Sequence, residues 1–149
     1  MNGLREILEK RGCHYEIIRH EKPILSREDG ARYFGIDAGR TAPSLVLKTD
    51  KGYFVLIVSG SRGRLDFDNI AGLLGCEKVK LASPKEVREA TGFEAGCVPL
   101  VGLDLPCVLD KRLLRYDFVY GGTGQPTCTL KIKPQALKRL NQVVATLDE

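Results

Sequence analysis

The sequence predicts an α+β fold with a central, mixed and mostly antiparallel sheet flanked by helices. The first observation is a hairpin from Ser44 to Gly60, in which two short β-branched and aromatic runs flank a turn at 49–52. The second is the helical spacing of apolar residues near both ends of the chain. The third is an irregular alternation of helical and strand patterns, with links that allow antiparallel pairs. Because no linker or repeat interrupts this pattern, we expect one domain over residues 1–149.

Helix boundaries carry local signals. Ser-x-x-Asp and Ser-Pro-x-Glu are typical helix starts, because their side chains satisfy N–H groups of the first turn, and glycine favours a helix end. The predicted helices begin near Leu4, Ser26, Asp66, Ser83 and Pro134. The first four end near Gly12, Gly35, Gly75 and Thr91, and the last carries Leu137, Leu140 and Val144 on one stripe.

Strand patterns fill the intervals between the helices. The predicted strands are Cys13–Arg19, the two hairpin strands, Lys78–Leu81, Pro106–Leu109, Tyr116–Tyr120 and Thr127–Lys133. The second hairpin strand, Tyr53–Val58, is apolar on both of its alternating faces. Such a strand is typical of the interior of a sheet, so we expect neighbours on both sides of it.

Composition narrows the class of protein. The chain has 149 residues, 43% of them hydrophobic, which suits a compact domain with a real core. No apolar run approaches the ~20 residues that span a membrane, and the charged first segment does not resemble a signal peptide, so we expect a cytoplasmic protein. Five widely spaced cysteines without a C-x-x-C pair predict neither a disulfide framework nor a metal site. The net charge of +4 allows a nucleic-acid partner without requiring one.

One lysine does not fit the central hairpin. Lys48 follows Leu45-Val46-Leu47 and shares a face with Val46 by the two-residue period of a strand. Its ammonium must therefore reach water or meet an anion. Glycine-rich segments at 92–102 and 121–126 are longer than ordinary connections, and glycine lets backbone N–H groups approach a ligand. Together these features predict a pocket for a ligand that is negatively charged at one end.

The order and spacing of these segments resemble the YbaK / prolyl-tRNA synthetase editing-domain family. The resemblance runs from about Leu4 to Leu140. The segments that carry it are Tyr15–His20, the hairpin with Lys48-Thr49, Arg64-Leu65-Asp66, Gly92-Phe93 through Pro99 and Gly102, and Gly122 through Pro126. The resemblance implies a mostly antiparallel sheet with flanking helices, and hydrolysis of the ester that joins a wrong amino acid to a tRNA. It implies no cofactor.

The resemblance also implies where the site lies. The key lysine of the family falls on Lys48, and its Gly-x-x-x-Pro loop falls on Gly122 to Pro126. Backbone N–H groups of Gly121, Gly122, Thr123, Gly124 and Gln125 are then expected to face the carbonyl oxygen as it becomes negative. The other expected substrate contacts are His20, Phe34, Val46, Gly96, Cys97, Pro99, Gly102, Gln125 and Pro126, and Arg62 and Arg64 are expected to contact RNA phosphates.

The loop at Gly121 to Pro126 favours relatives of the synthetase-embedded domain and of free-standing alanine-tRNA(Pro) deacylases over the cysteine-specific branch. Many members have a Ser-Pro pair where this chain has Val98-Pro99, so no hydroxyl role is expected there. The expected partners are the 3′ end of a mischarged tRNA and an aminoacyl-tRNA synthetase. The expected substrate is a small amino acid on tRNA(Pro) or a related tRNA. Which amino acid, which tRNA and which oligomeric state do not follow from the sequence.

Several alternatives stay open at this point. A histidine at a strand end, such as His20, is more often exposed or capping than a catalytic base. A Cys97/His20 thiol hydrolase is a second possible chemistry. The loop arginines are equally explained by solubility. A non-catalytic module that binds an aminoacyl-nucleotide, a tRNA or a synthetase is the rival to the enzyme.

Overall fold

The computed structural model of the chain describes residues 2–23 and 27–148. Its helices are α1 (Asn2–Lys10), α2 (Arg27–Phe34), α3 (Phe67–Leu74), α4 (Pro84–Thr91) and α5 (Pro134–Leu140). Its strands are β1 (Tyr15–Arg19), β2 (Thr41–Ala42), β3 (Ser44–Thr49), β4 (Gly52–Ile57), β5 (Val79–Leu81), β6 (Pro106–Asp110), β7 (Val119–Gly122), β8 (Cys128–Ile132) and β9 (Gln142–Leu147). Short 3-10 turns cover Ala38–Arg40 and Lys111–Arg115.

Two mixed sheets form the framework, where the sequence predicted one. The first sheet has the order β1-β8-β7-β2, and the second has the order β5-β3-β4-β6-β9. Four strand pairs of the described residues are antiparallel and three are parallel, so the predicted α+β class with mixed, mostly antiparallel pairing is confirmed. As expected, β4 lies inside its sheet, between β3 and β6, and its residues 55–57 are buried.

Pro43 is the point at which the chain passes from one sheet to the other. Thr41 and Ala42 pair with β7 in the first sheet, and Ser44 already pairs with Ile57 in the second. Proline has no N–H to donate, so it interrupts a ladder at this position. The carbonyl of Pro43 still accepts a hydrogen bond from the N–H of Val58 at 3.2 Å. The two sheets are therefore joined tightly at Pro43 and diverge from it.

Local capping signals place two helices correctly. The Asp66 side chain accepts from the N–H of Asn69, and Gly75 ends α3 in the left-handed conformation. Ser83 and Glu86 form the predicted capping box of α4. The predicted start of α2 at Ser26 lies outside the described residues.

The end of the chain differs from the prediction. The last helix stops at Leu140, and the Asn141 side chain donates to the carbonyl of Leu137 at 3.1 Å. Residues 142–147 then form β9, parallel to β6 at the edge of the second sheet. Val144, predicted on the helix, therefore lies on a strand and is half exposed. Its β-branched neighbours favour extended structure, and pairing with β6 outweighs the apolar spacing that suggested a helix.

Three apolar clusters stabilise this framework. The largest packs α1 and α5 against the first sheet, with Leu8, Leu130 and Leu137 fully buried. The second packs α3 against the second sheet around Leu56. Among residues 2–23 and 27–148, no helix is long and apolar enough to cross a bilayer.

Candidate functional site

A cavity of about 420 Å³ opens where the two sheets diverge at Pro43. Its walls come from α2, both sheets and two loops, and they are mainly apolar. The lining residues are Gly30, Phe34, Thr41, Ala42, Pro43, Ser44, Leu45, Val58, Arg62, Gly63, Leu65, Gly96, Cys97, Val98, Tyr120, Gly121, Gly122, Gln125, Cys128 and Thr129. A volume of this size lies within the range of small-molecule sites, ~300–1,000 Å³.

Seven of the residues singled out from the sequence meet in this cavity. They are Phe34, Arg62, Gly96, Cys97, Gly121, Gly122 and Gln125. The remaining nine are outside the lining: His20, Val46, Lys48, Arg64, Pro99, Gly102, Thr123, Gly124 and Pro126.

The two glycines of β7 let another segment of the chain lie directly on the strand. A Cβ on Gly122 would come within 2.2 Å of the Val98 carbonyl oxygen, and one on Gly121 within 2.5 Å of Leu100 Cδ1. The N–H of Leu100 donates to the Gly122 carbonyl at 3.1 Å. This close approach fixes the wall formed by residues 96–98, so both glycines are required by packing whatever their part in chemistry.

The loop after β7 is closed by its own hydrogen bonds. The buried Thr123 hydroxyl donates to the Cys128 carbonyl at 3.1 Å and accepts from the N–H of Gln125 at 3.2 Å. Gly124 has a φ of +99°, and a Cβ there would meet the Phe93 ring at 2.5 Å. Thr123 and Gly124 therefore shape the loop from behind the lining.

Lys48 lies at the far end of β3 from the cavity. Ser44, the first residue of the strand, lines the cavity, and four residues at roughly 3.3 Å each carry Lys48 about 13 Å further along. The Lys48 ammonium lies 2.5 Å from Glu86 Oε2 on α4. Hydrogen bonding and charge from each partner raise the pKa of Lys48 and lower that of Glu86 to about 2. The sequence predicted that this ammonium reaches water or meets an anion, and it does both: the side chain is nearly half exposed and its anion is a side chain of the protein. The geometry gives no support to a substrate contact.

Val46 lies behind the wall of the cavity. It packs with Val87 and Val98 in the smallest apolar cluster, so it supports the lining without reaching it. Pro99 is buried next to that segment. Gly102 has a φ of +91°, and a Cβ there would lie 3.1 Å from Ile7 Cδ1, so its role is in the packing of α1.

The two loop arginines have different environments. Arg62 lines the cavity, and its guanidinium donates to both carboxylate oxygens of buried Asp110 at 2.8 and 2.9 Å. Burial opposes ionisation of Asp110, but the bonds from Arg62 and from the N–H groups of Ser59 and Arg112 lower its pKa on balance. Arg62 was expected to be exposed and to contact RNA phosphates. The expected exposure is wrong, because the side chain is largely covered and paired with Asp110. Arg64 is exposed, as predicted.

His20 is buried behind the cavity, where the sequence favoured an exposed or capping role. Its Nδ1 donates to the Lys22 carbonyl at 2.7 Å, because a carbonyl can only accept. In the neutral ring Nε2 is then an acceptor, and the Thr129 hydroxyl donates to it at 3.0 Å. Thr129 lines the cavity. His20 thus orients a lining hydroxyl that sequence reasoning did not single out.

Cys97 lines the cavity without the features of a nucleophile. Burial and the nearby Glu94 carboxylate raise the pKa of its thiol, which opposes the thiolate that such chemistry needs. The Nε2 of His20 is engaged by Thr129. The geometry therefore does not favour the Cys97/His20 thiol route.

An aromatic wall was only partly foreseen. Phe34 on α2 lies 5.0 Å, centroid to centroid, from Tyr120 on β7, and both rings line the cavity. Tyr120, Ser44 and Thr129 were not singled out from the sequence, because single aromatic or hydroxyl residues on strands carry no signal of their own.

Comparison with known proteins identifies relatives of this fold. The sequence model of the aminoacyl-tRNA editing domain family matches residues 21–140. Proline–tRNA ligase of Thermosipho melanesiensis is 27% identical over 122 residues, which are 80% of this chain and 21% of the ligase. EbsC of Enterococcus faecalis, a proposed Cys-tRNA(Pro)/Cys-tRNA(Cys) deacylase, is 28% identical over 119 residues, which are 78% of this chain and 72% of EbsC.

A solved structure agrees with the sequence relatives. The crystal structure of a proposed trans-editing enzyme for prolyl tRNA synthetase is 33% identical and superposes with a TM-score of 0.85, covering 99% of this chain and 94% of that one. The chain spans about a fifth of the Thermosipho ligase that it matches. The resemblance inferred from the sequence is confirmed, and the chain belongs to the aminoacyl-tRNA editing domain family.

Proposed function

We propose that the protein is a trans-acting aminoacyl-tRNA deacylase that hydrolyses the ester of a mischarged tRNA. The observation that carries the proposal is the cavity at Pro43, in which the glycine strand β7 meets an apolar wall. Its volume suits the aminoacyl end of a tRNA, and the family includes relatives named as deacylases and editing enzymes.

The proposed reaction needs little from the side chains. Water adds to the carbonyl carbon, the bond to the ribose oxygen breaks, and that oxygen takes a proton, which releases the amino acid and a tRNA with a free 3′ end. We assign stabilisation of the developing oxyanion to backbone N–H groups within 121–124. The Gln125 N–H is left out, because it donates to the Thr123 hydroxyl. A neighbouring ribose hydroxyl of the tRNA activates the water, as the family resemblance suggests.

The charge of the lining fits this division of labour. Within the described part of the chain, Arg62 is the one charged side chain of the lining, and the Asp110 carboxylate offsets it. Because the described lining offers no free basic side chain, we assign no side chain of the protein as the general base that activates the water. Selectivity follows from a small pocket that admits a small, wrongly attached amino acid and excludes the correct one, as in the second sieve of an editing pair.

The proposed domain extends beyond the region matched by the family. Leu4 and Leu8 before it belong to the largest apolar cluster, and Leu147 after it packs into the second cluster. We therefore propose that residues 1–149 act as one editing domain, on cytoplasmic tRNA and beside an aminoacyl-tRNA synthetase. Arg64, which is exposed in the loop that also supplies Arg62, is the proposed contact to RNA phosphates.

A deacylation assay tests the proposal. The protein is incubated with tRNA(Pro) charged with alanine, serine, cysteine or proline, and the remaining ester is counted against time. We expect faster loss of at least one mischarged ester than without protein, while Pro-tRNA(Pro) stays intact. Rates equal to the uncatalysed ones for all four would overturn the deacylase.

A second candidate is a binding module without turnover. It is favoured by the absence of lysine, histidine and carboxylate side chains from the lining formed by the described residues. In the same assay this module would retain mischarged tRNA on a filter without shortening the lifetime of the ester.

A further inference from the structure

Ser44 carries a buried hydroxyl without a partner. It is the first residue of β3, it lines the cavity, and it is 9% exposed. Among residues 2–23 and 27–148, its Oγ has no hydrogen-bond partner. Leaving a buried hydroxyl unpaired is unfavourable, and such groups in native proteins usually have a role that supplies the missing partner.

The two threonines of the lining differ from Ser44 in this respect. The Thr41 hydroxyl donates to the Ala38 carbonyl at 2.6 Å, and the Thr129 hydroxyl donates to His20 Nε2. Each is already hydrogen-bonded within the protein. The Ser44 hydroxyl alone among these three can both donate to and accept from a ligand.

The position of Ser44 indicates which part of a ligand it meets. Its lining neighbours along the chain are Pro43 and Leu45, and Val58 lines the cavity just beyond its strand partner Ile57. This wall is apolar and lies at the Pro43 end of the second sheet. The glycine strand to which we assigned the carbonyl oxygen belongs to the first. An apolar wall with one hydroxyl suits the side chain of the bound amino acid better than its ester.

We propose that Ser44 is a specificity-determining residue that hydrogen-bonds the side chain of the aminoacyl group, so that the site prefers a small hydroxyl amino acid to alanine. This inference rests on the proposed function. Binding of an alanyl group would leave the Ser44 hydroxyl unpaired, and a seryl group would satisfy it. A site that pairs with a substrate hydroxyl discriminates strongly against an analogue without one, whereas a purely apolar pocket does not.

Stable amide analogues separate binding from turnover. We would measure dissociation constants of 3′-serylamino- and 3′-alanylamino-3′-deoxyadenosine for the full chain by titration calorimetry. In parallel, kcat/KM would be measured on Ser-tRNA(Pro) and Ala-tRNA(Pro). We expect a preference of about tenfold or more for the seryl form in both measurements, the size of one neutral hydrogen bond plus an avoided unpaired group.

Two variants assign the preference to one hydroxyl. Ser44→Ala should bring the seryl to alanyl ratio within about twofold of unity by weakening seryl binding. Its melting temperature without ligand should equal or exceed that of the wild type, because an unpaired buried hydroxyl is removed. Thr41→Val, the matched control, removes a lining hydroxyl that is already bonded to Ala38 and should leave the ratio unchanged.

The outcomes are distinguishable. Equal affinity of the wild type for both analogues, binding of neither, or an unchanged ratio in Ser44→Ala would each overturn the role of Ser44. A lowered melting temperature in Ser44→Ala would show that its hydroxyl is bonded within the protein, which also contradicts the inference. A seryl preference in binding together with no ester cleavage would overturn the proposed hydrolysis and leave the role of Ser44 standing.

Discussion

The Arg62–Asp110 and Lys48–Glu86 ion pairs differ in burial and in whether they border the cavity. Arg62 and Asp110 meet at 2.8 Å beside the cavity, with the Asp110 side chain fully buried. Lys48 and Glu86 meet at 2.5 Å at the other end of the strand, where the Lys48 side chain is 45% exposed. By distance alone, the Lys48–Glu86 pair would look the stronger of the two. Burial separates them, because a charge deprived of its partner is costly only where water cannot replace that partner.

This contrast explains why Lys48, the more conspicuous cation in the sequence, says less about the position of the cavity than Arg62 does. Lys48 interrupts an apolar hairpin in the sequence, whereas Arg62 is one of several charges in a loop. In the structure Arg62 reaches the cavity, and Lys48 points to α4. Replacing Arg62 should therefore lower the stability of the whole fold, whereas replacing Lys48 should affect only the surface around it.

The largest expected effect is that of Arg62→Met. Within the described residues, this change leaves the buried Asp110 carboxylate with only the backbone N–H groups of Ser59 and Arg112 as partners, and it should cost about 3–5 kcal/mol in the free energy of unfolding. Urea denaturation measures it. Arg64→Met, in the same loop but exposed, is the matched control and should cost less than about 0.5 kcal/mol. Equal effects of the two variants would contradict the assigned difference in burial.

Gly122→Ala tests the cavity wall itself. The new methyl group would lie 2.2 Å from the Val98 carbonyl oxygen, so β7 and the 96–98 wall must separate. We expect a loss of about 1–3 kcal/mol in stability and, since small displacements in a site are costly, at least about a hundredfold loss in deacylation. Gly63→Ala also adds a methyl group to the lining, but with nothing within 4 Å. If Gly122→Ala matched Gly63→Ala in both stability and deacylation rate, the close packing of β7 against residues 96–98 would be contradicted.

Lys48→Ala should change deacylation by less than about twofold, because the ammonium is on Glu86 and away from the cavity. The family resemblance predicts the opposite, an essential lysine. Initial rates on a mischarged tRNA decide between them. A hundredfold loss of deacylation rate in a Lys48→Ala variant with the melting temperature of the wild type would show that Lys48 is part of the active site.

The smallest expected effect is the pH dependence of the distal pair. Its bond to Lys48 lowers the pKa of Glu86 from an ordinary 4.5 to about 2, so its contribution to stability is fully present above pH 4.5 and is lost as pH falls through about 2. The difference in urea midpoint between wild type and Glu86→Gln should therefore shrink steadily over that interval. A constant difference would show that the carboxylate has no partner in the folded state.

Local signals predicted much of the fold. The caps at Asp66 and Ser83, the left-handed Gly75 and the doubly apolar β4 each depend on a few adjacent residues, and all agree with the structure. The strand β9 was missed because its partner β6 lies more than thirty residues away and the apolar spacing around Val144 also fits a helix. Tertiary pairing, which the sequence does not display, determined the outcome.

The site was predicted less completely, for a related reason. Glycines at 121 and 122 were found because close backbone approach requires glycine. The two-residue period placed Lys48 on a face of β3, but it could not show which end of the strand meets the cavity. Ser44 and Thr129 are neutral hydroxyl residues on strands, and only burial and bonding distinguish them from other such residues.

The most direct test of the central claim is where a substrate analogue binds. A crystal structure of the protein with 3′-serylamino-3′-deoxyadenosine should show the aminoacyl group in the cavity at Pro43, with its carbonyl oxygen toward 121–124 and its hydroxyl within hydrogen-bonding distance of Ser44 Oγ. An analogue bound instead beside Lys48 and Glu86, with the cavity at Pro43 unoccupied, would contradict the account.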